Sequence, residues 1–177
     1  MNLFNKISNK VNIAWLRARG SLIGESCLLA PGVDINRPRG LIMGAHCALY
    51  KNVTVSIGLS GMFKMGSNSH SAPYGYYLVG EQRLMIGSDV AIGPFCSFFC
   101  LTNSLPSAGG LFRKSYSSGD IVIGDNVFIG AHCVLLPGTE IGDNTVIAAN
   151  SVIGGRLDAG CLYGGSPVKK IKVLEQF

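Results

Sequence analysis

Three histidines, His46, His70 and His132, are the side chains of this sequence best suited to moving a proton near neutral pH. His46 and His132 both stand in the string Gly-Ala-His-Cys, at the same position of a repeating pattern, so we interpret both as turn residues. His70, in the irregular string SNSHSAPYG, has no place in that pattern. Because loops on a rigid scaffold often carry function, His70 is our candidate general base, the alternative being a solvated loop histidine.

The six cysteines do not have the spacing of a metal site. No Cys-x-x-Cys pair and no His-x-x-x-x-His pair occurs, so we expect no bound metal. Four of the cysteines each follow a core aliphatic residue by four positions: Cys27, Cys47, Cys96 and Cys133. That register is typical of small buried side chains. Reduced thiols and the absence of a signal peptide indicate a cytoplasmic protein.

The element that must position any site is a six-residue repeat. Residues 122–157 divide into VIGDNV, FIGAHC, VLLPGT, EIGDNT, VIAANS and VIGGRL. The second place of each block is aliphatic and holds Ile123, Ile129, Leu135, Ile141, Ile147 and Ile153. A period of six fits neither a helix face nor an alternating strand. It is the period of a parallel β-helix, in which three short strands make one coil and the coils stack their aliphatic residues into one core.

The rest of the chain is organised around this repeat. Residues 2–19 lack glycine and space apolar residues by three and four; these are Phe4, Ile7, Val11, Ala14 and Trp15. We predict an amphipathic helix over residues 1–19 that caps the first coil, with contact to a membrane as the less favoured alternative. The β-helix domain then spans residues 20–168, with excursion loops near 58–83 and 102–119, and a tail follows at 169–177.

Composition and charge exclude several classes of protein. Hydrophobic residues make up 47% of the chain and charged residues 14%, which is too apolar for a disordered protein. The net charge is +5, but no basic run alternates with aromatic residues, so we expect no nucleic-acid partner. A site for an anionic small molecule fits this charge better. No apolar run reaches the length that spans a bilayer.

The repeat, followed by the string GGSPVKKI, closely resembles the left-handed β-helix acyltransferases with hexapeptide repeats. Within them it is similar to the small sugar O-acetyltransferases of the maltose, galactoside and colanic acid type. The resemblance covers most of the chain. It implies an all-β, left-handed parallel β-helix and a homotrimer that binds acetyl-CoA, the acyl donor, between neighbouring subunits. It also implies acetyl transfer to the hydroxyl of a sugar or sugar nucleotide, in surface polysaccharide or O-antigen biosynthesis.

Matching motif positions assign the cofactor to the late coils. Ala131 and Ala149 match positions whose main chain faces acetyl-CoA. Gly154 and Gly155 match the next turn, and Lys169 matches a basic residue near the phosphates. Small side chains let a ligand reach backbone donors, and a lysine suits phosphate as a point charge. The acceptor is expected to contact the two loops, with the candidates Tyr74, Tyr76, Tyr77, Asn103 and Arg113.

One position departs from the family. Its members usually carry a histidine at the start of the second loop, in strings like ASNHSFDD, which takes the proton from the sugar hydroxyl. The matching string here is LTNSLPSA, and we assign Asn103 to the histidine's place. An amide can only orient a group or donate to an oxyanion. Since a general base contributes about 10²–10⁴-fold, two alternatives stay open: an amino-sugar N-acetyltransferase that needs no protein base, and a catalytically impaired trimeric scaffold.

Overall fold

The computed structural model describes residues 3–106 and 110–175. Residues 1–2, 107–109 and 176–177 lie outside the described residues, and so do the side chain of Phe4 and parts of the predicted second loop and tail. Within the described ranges an α-helix, α1 (Leu3–Ala18), precedes 23 strands, which are numbered β1 to β23 in chain order. The strands confirm the predicted all-β fold with a short N-terminal helix.

Twenty-one of the strands form three sheets, which are the three faces of a coil with a triangular section. Face 1 contains β1 (Leu22–Ile23), β4 (Leu41–Met43), β7 (Met62–Met65), β10 (Arg83–Ile86), β15 (Ile121–Ile123), β18 (Glu140–Ile141) and β21 (Arg156–Leu157). Face 2 contains β2 (Leu28–Leu29), β5 (Ala48–Leu49), β8 (His70–Ser71), β11 (Ala91–Ile92), β16 (Phe128–Ile129), β19 (Val146–Ile147), β22 (Cys161–Gly164) and β23 (Lys169–Val173). Face 3 contains β3 (Asp34–Ile35), β6 (Thr54–Ile57), β9 (Tyr76–Gly80), β12 (Ser97–Phe99), β17 (Val134–Leu135) and β20 (Val152–Ile153).

Two of the three corners of the coil have a fixed length. Along the first coil the inward residues are Ile23, Leu29 and Ile35, six positions apart, and every later coil keeps this spacing from face 1 to face 2 and from face 2 to face 3. The third corner, from face 3 back to face 1, varies and reaches 25 positions between Phe98 and Ile123. We call the corners 1–2, 2–3 and 3–1. Corner 3–1 therefore takes up all the variation in coil length.

Residues 58–83, which we predicted to be an excursion loop, form the third coil instead. Its strands β7, β8 and β9 pair in parallel with the coils before and after. The sequence looks irregular because Ser71 and Tyr77, both fully buried, hold inward positions that are aliphatic in most other coils. The Tyr77 hydroxyl donates to Ser71 Oγ at 2.6 Å, so the large ring fills the space beside the small serine and its polar atom is satisfied.

The predicted turn residues are confirmed in the backbone. His46 and His132 have φ angles of 59° and 57°, in the left-handed region, as do several asparagines at equivalent turns. They stand at different corners, since His46 lies between β4 and β5 and His132 between β16 and β17. The cysteines are all free and buried, which confirms their interpretation as small core residues.

The helix packs on the first coil with a face that we did not predict. Ile13 and Leu16 are buried against β1 and β2, whereas Ile7, Val11 and Trp15 of the predicted apolar stripe are exposed. Periodicity identified an apolar stripe, but α1 has two, and the sequence alone did not show which one covers the coil. No helix in the described ranges is long and apolar enough to cross a membrane.

The predicted second loop leaves the coil at corner 3–1 as a hairpin. Its strands β13 (Leu101–Asn103) and β14 (Tyr116–Ser118) pair antiparallel and belong to none of the three faces. At the other end of the molecule, β23 folds back and pairs antiparallel with β22, so the tail closes the edge of face 2.

The close stacking of corners gives a stability prediction. A Cβ placed on Gly130 would lie 2.5 Å from the backbone nitrogen of Ala149, whereas one on Gly154 would meet nothing nearer than Leu136 Cδ1 at 3.6 Å. We expect Gly130→Ala to lower the free energy of unfolding by about 1–3 kcal/mol, because backbone must move. Urea unfolding followed by circular dichroism measures this. The matched variant Gly154→Ala should stay within about 0.5 kcal/mol of the parent, and equal losses in both would contradict the packing described.

Candidate active site

Two of the residues assigned to the cofactor lie one above the other at corner 2–3. Ala131 follows β16 and Ala149 follows β19, and the backbone nitrogen of Asn150 donates to the Ala131 carbonyl at 2.9 Å. Ala149 is exposed and Ala131 is half-buried. At these two positions only a methyl group separates the main chain from solvent, so an extended ligand can approach the backbone there.

The tail brings Lys169 to the same corner. In the β22–β23 pair Lys169 is the partner of Gly164, and a Cβ on Gly164 would lie 3.0 Å from Ala148 Cβ, next to Ala149. The preceding residue is also anchored, because the Val168 nitrogen donates to the Val152 carbonyl at 3.0 Å. Lys169 is exposed. A positive charge therefore stands at the last coils of the Ala131–Ala149 corner.

Gly154 and Gly155 lie at the other end of β20, at corner 3–1. Both are exposed, and Gly155 has a φ of 73° with nothing within 4 Å of a Cβ position. The structure thus separates the predicted cofactor residues into two groups, which flank the late strands of face 3. The candidate site is this surface: the outer side of β17 and β20 with corner 2–3 on one side and corner 3–1 on the other.

The hairpin that carries Asn103 rises from corner 3–1, the corner of Gly154 and Gly155. The Asn103 amide donates from Nδ2 to the carbonyl oxygens of Phe112 at 2.9 Å and Ser115 at 3.3 Å. These bonds tie β13 to the turn before β14. Asn103 is exposed, but its amide is already engaged in holding the hairpin closed.

Our assignment of Asn103 to the place of the family's histidine is displaced by one residue. ASNHSFDD set against LTNSLPSA aligns the histidine with Ser104 and the asparagine before it with Asn103. Ser104 is half-buried, its backbone nitrogen donates to the Ser115 carbonyl at 3.0 Å, and its hydroxyl shares a hydrogen bond of 2.9 Å with the Ser115 hydroxyl. Neither residue offers a basic group, so the departure from the family pattern remains.

His70 is not in a loop and does not approach the hairpin within the protomer. It opens β8 on face 2, with Ala48 and Ala91 as its neighbours on the adjoining strands. Its half-buried ring meets the Tyr50 ring edge-to-face, with 5.9 Å between centroids. Because β8 belongs to face 2 and the hairpin follows β12 of face 3, the two predicted catalytic residues do not form one site in a single chain.

The root of the hairpin is fixed by an ion pair. Asp120 accepts from the Arg83 backbone nitrogen at 2.8 Å and from the Arg83 side chain, with Nη2 2.6 Å from Oδ2. The backbone hydrogen bond from Arg83, with its guanidinium, lowers the pKa of Asp120. Burial raises the pKa of the Cys100 thiol, at the start of the hairpin, to about 12. Asp120 is therefore a poor proton acceptor and Cys100 a poor nucleophile.

The acceptor candidates fall in different environments. Tyr77 is fully buried and cannot touch a substrate, which corrects that prediction. Tyr76 is exposed on the outer side of face 3, 6.0 Å from the Phe99 ring, and Arg113 is exposed on the hairpin. Tyr74 stacks on Phe95 at corner 2–3 with 4.9 Å between ring centroids.

Two features of this surface escaped sequence analysis. The Tyr74–Phe95 stack continues onto His132, whose ring lies 4.9 Å from Phe95 and nearly parallel to it. The hairpin also exposes four large apolar side chains: Leu105, Leu111, Phe112 and Tyr116. The sequence could have predicted the stack, because Tyr74 and Phe95 occupy equivalent turns of adjacent coils. In the hairpin the string LFRKSY was the corresponding signal, since polar loops seldom hold so many apolar residues.

The hydrogen bonds of Asn103 lead to a prediction about the hairpin. We expect Asn103→Ala to speed amide hydrogen exchange at residues 110–118 by about fivefold, because each lost bond contributes about 1 kcal/mol, while the coils keep their protection. Exchange followed by mass spectrometry measures this. Ser117→Ala, an exposed change on the same hairpin, is the control. Unchanged exchange in Asn103→Ala would show that the amide does not hold the hairpin.

Comparison with known proteins agrees with this architecture. Residues 120–155 match the family model described as bacterial transferase hexapeptide (six repeats). A putative acetyltransferase of Bacillus subtilis, YvoF, is 38% identical over 95 residues, which cover 54% of this chain and 51% of YvoF. The galactoside O-acetyltransferase of Escherichia coli is 31% identical over 115 residues, which cover 62% of this chain and 56% of that enzyme. The chain thus spans about half the length of these curated relatives.

The fold is also that of solved enzymes. AntD, an N-acyltransferase from Bacillus cereus whose mutant was solved with dTDP and coenzyme A, superposes with a TM-score of 0.81. The likeness covers 92% of this chain and 89% of AntD at 23% sequence identity. With the six-residue repeat and the three-faced coil that it builds, these matches show that the chain has the hexapeptide-repeat β-helix fold and is similar to acetyltransferases that carry this repeat.

Proposed function

We propose that this protein transfers an acetyl group from acetyl-CoA to a sugar, in the assembly of a surface polysaccharide. The observation that carries the proposal is the corner formed by Ala131 and Ala149, with Lys169 at its end. It combines accessible main chain with one positive charge, as a long anionic ligand with an amide-bearing arm requires. That AntD was solved with coenzyme A supports the assignment of the donor.

The residues present fit acetyl-CoA in chemistry. The two alanines leave backbone groups open to the pantetheine amides, and Lys169 supplies a point charge for a phosphate. Gly154 and Gly155, with no side chain to obstruct, line the opposite edge of face 3. Acetyl-CoA supplies a thioester carbonyl. The chain's own groups bind the donor, keep it extended and orient the acceptor.

The side chains of the hairpin bear on whether the acceptor atom is an oxygen or a nitrogen. When a sugar oxygen attacks the thioester carbonyl, a carbon–oxygen bond forms, the carbon–sulfur bond breaks and the acceptor must lose its proton. Residues 101–118 contain Arg113 and Lys114 but no histidine, aspartate or glutamate to take that proton. An unprotonated amine attacks with its own lone pair and sheds its proton afterwards, so it needs less help from a base. We therefore propose a sugar amine as the acceptor.

A sugar hydroxyl is the second candidate, and it is favoured by the name of the galactoside O-acetyltransferase of Escherichia coli. The amine is favoured by AntD, which was also solved with dTDP-4-amino-4,6-dideoxyglucose, at a TM-score of 0.76. A hydroxyl acceptor would require a base from outside the hairpin, and His70 is the residue of this chain that we propose for it. In a closed cyclic oligomer, face 2 of one protomer can meet the hairpin of the next.

The acceptor is tested with matched substrates. We expect release of the coenzyme A thiol with acetyl-CoA and dTDP-4-amino-4,6-dideoxyglucose, and little release with the sugar that carries a hydroxyl in place of the amine. The rate should rise with pH as the acceptor amine loses its proton, and His70→Gln should leave it unchanged. Turnover of the hydroxyl sugar alone, lost in His70→Gln, would overturn the amine proposal. Tight binding of acetyl-CoA by calorimetry without turnover of either sugar would indicate a non-catalytic scaffold.

The donor site is tested at the tail. Lys169→Ala should weaken binding of acetyl-CoA by about three- to tenfold, as expected for one exposed charge-assisted contact. Lys172→Ala removes the same charge from the same strand and should leave binding unchanged. Isothermal titration calorimetry measures both. Equal effects in the two variants would mean that only the net charge of the tail matters, and no effect in either would remove Lys169 from the site.

A further inference from the structure

The two apolar faces of α1 point in opposite directions. One face closes the first coil: Ile13 and Leu16 are buried, and the Asn9 side chain donates to the Cys27 carbonyl at 3.0 Å and accepts from the Leu29 nitrogen at 2.8 Å. These contacts satisfy an edge of the β-helix that would otherwise be open. The first coil is therefore capped without Ile7, Val11 and Trp15, the residues that we predicted to cover it.

The other face carries Ile7, Val11 and Trp15, which follow one another at intervals of four and so form one stripe. Their exposed fractions are 55%, 60% and 49%. At about 100° per residue this stripe is turned by roughly 180° from the capping face. Ile7 and Val11 lie on the side of the helix away from the coils, and Trp15 lies at the edge of the stripe, where it lines a cavity with Leu29 and Val33 of the first coil.

The charged residues of α1 itself are all basic, whereas Asp34 of the first coil, an acidic residue, lines a cavity together with Trp15. The helix sequence has no acidic residue, Lys10 is exposed on it, and the exposed Arg19 follows it. Arg17 turns to the first coil instead, where its guanidinium donates to the carbonyl oxygens of Ile23 and Gly24. The guanidinium of Arg19 lies 4.4 Å from the centre of the Trp15 ring, so a cation stands directly beside the exposed aromatic. An apolar stripe with a tryptophan and a rim of lysine and arginine is the pattern of helices that lie in the interface of a bilayer.

We propose that the Ile7–Val11–Trp15 face of α1 binds the surface of an anionic lipid bilayer. Capping and membrane contact, which sequence analysis treated as alternatives, use opposite sides of the same helix. The positive charge of α1 favours an anionic bilayer over a second copy of the helix as the partner of this face. A second copy of the helix would bring two cationic, acid-free segments together, whereas anionic headgroups neutralise the rim while the three apolar side chains enter the acyl boundary.

Trp15 provides a direct test, since it is the only tryptophan in the sequence. The probes are vesicles of phosphatidylcholine with and without phosphatidylglycerol. With phosphatidylglycerol present, we expect Trp15 emission to shift to the blue and to be quenched by brominated acyl chains. Added salt should reverse both effects because the attraction is screened.

Matched variants locate the surface. Val11→Ser should weaken vesicle binding by about three- to tenfold, the effect of removing one partly buried valine, whereas Val173→Ser makes the same change at a similarly exposed valine of β23 and should have no effect. Circular dichroism confirms that both variants remain folded. The proposal is overturned if phosphatidylglycerol vesicles give no quenching, or if the two variants bind equally. It is also overturned if Trp15 emission is already blue without lipid and depends on protein concentration, because a second copy would then cover the face.

Discussion

The parallel hydrogen bonds between coils require each coil to place its inward side chains directly over those of the coil before. Ile123, Ile141 and Leu157 stack in this way on face 1, and Ile129, Ile147 and Tyr163 on face 2. The same constraint fixes two corners at six residues, brings small residues to the turns and gives the stacked column of Tyr74, Phe95 and His132 at corner 2–3. The fold, the stacking of Ala131 and Ala149 at corner 2–3 and the position of the hairpin all depend on it.

This constraint explains how far the sequence predicts the structure. Where every inward position is aliphatic, as in residues 121–154, the period is visible and the coils were predicted correctly. The period is hidden where a small inward side chain on one face is compensated by a large one on the next face. Ser71 and Tyr77 are each atypical alone, and only their contact at 2.6 Å makes the third coil regular. A contact between faces cannot be read from a local period.

The site was harder to predict than the fold for the same physical reason. Position in the repeat located Ala131 and Ala149 at one corner, because the backbone alone decides where they lie. It could not locate His70, whose strand is on another face, or the role of the Asn103 amide, which depends on carbonyl groups of residues nine and twelve positions later. Likewise both stripes of α1 were present in the sequence, but the bonds of Asn9 to the first coil decide which one is buried.

The unequal corners have an evolutionary consequence. Corners 1–2 and 2–3 keep six residues in every coil, so an insertion there would shift the register of the whole stack. Corner 3–1 spans anything from four residues, between Ile153 and Leu157, to 25, between Phe98 and Ile123, without disturbing the core. A lineage can therefore lengthen, shorten or replace the segment at corner 3–1, where we propose that the acceptor binds, while inheriting the scaffold and corner 2–3 unchanged. The chain can thus change in length at one edge of the molecule without a change in the rest of the fold.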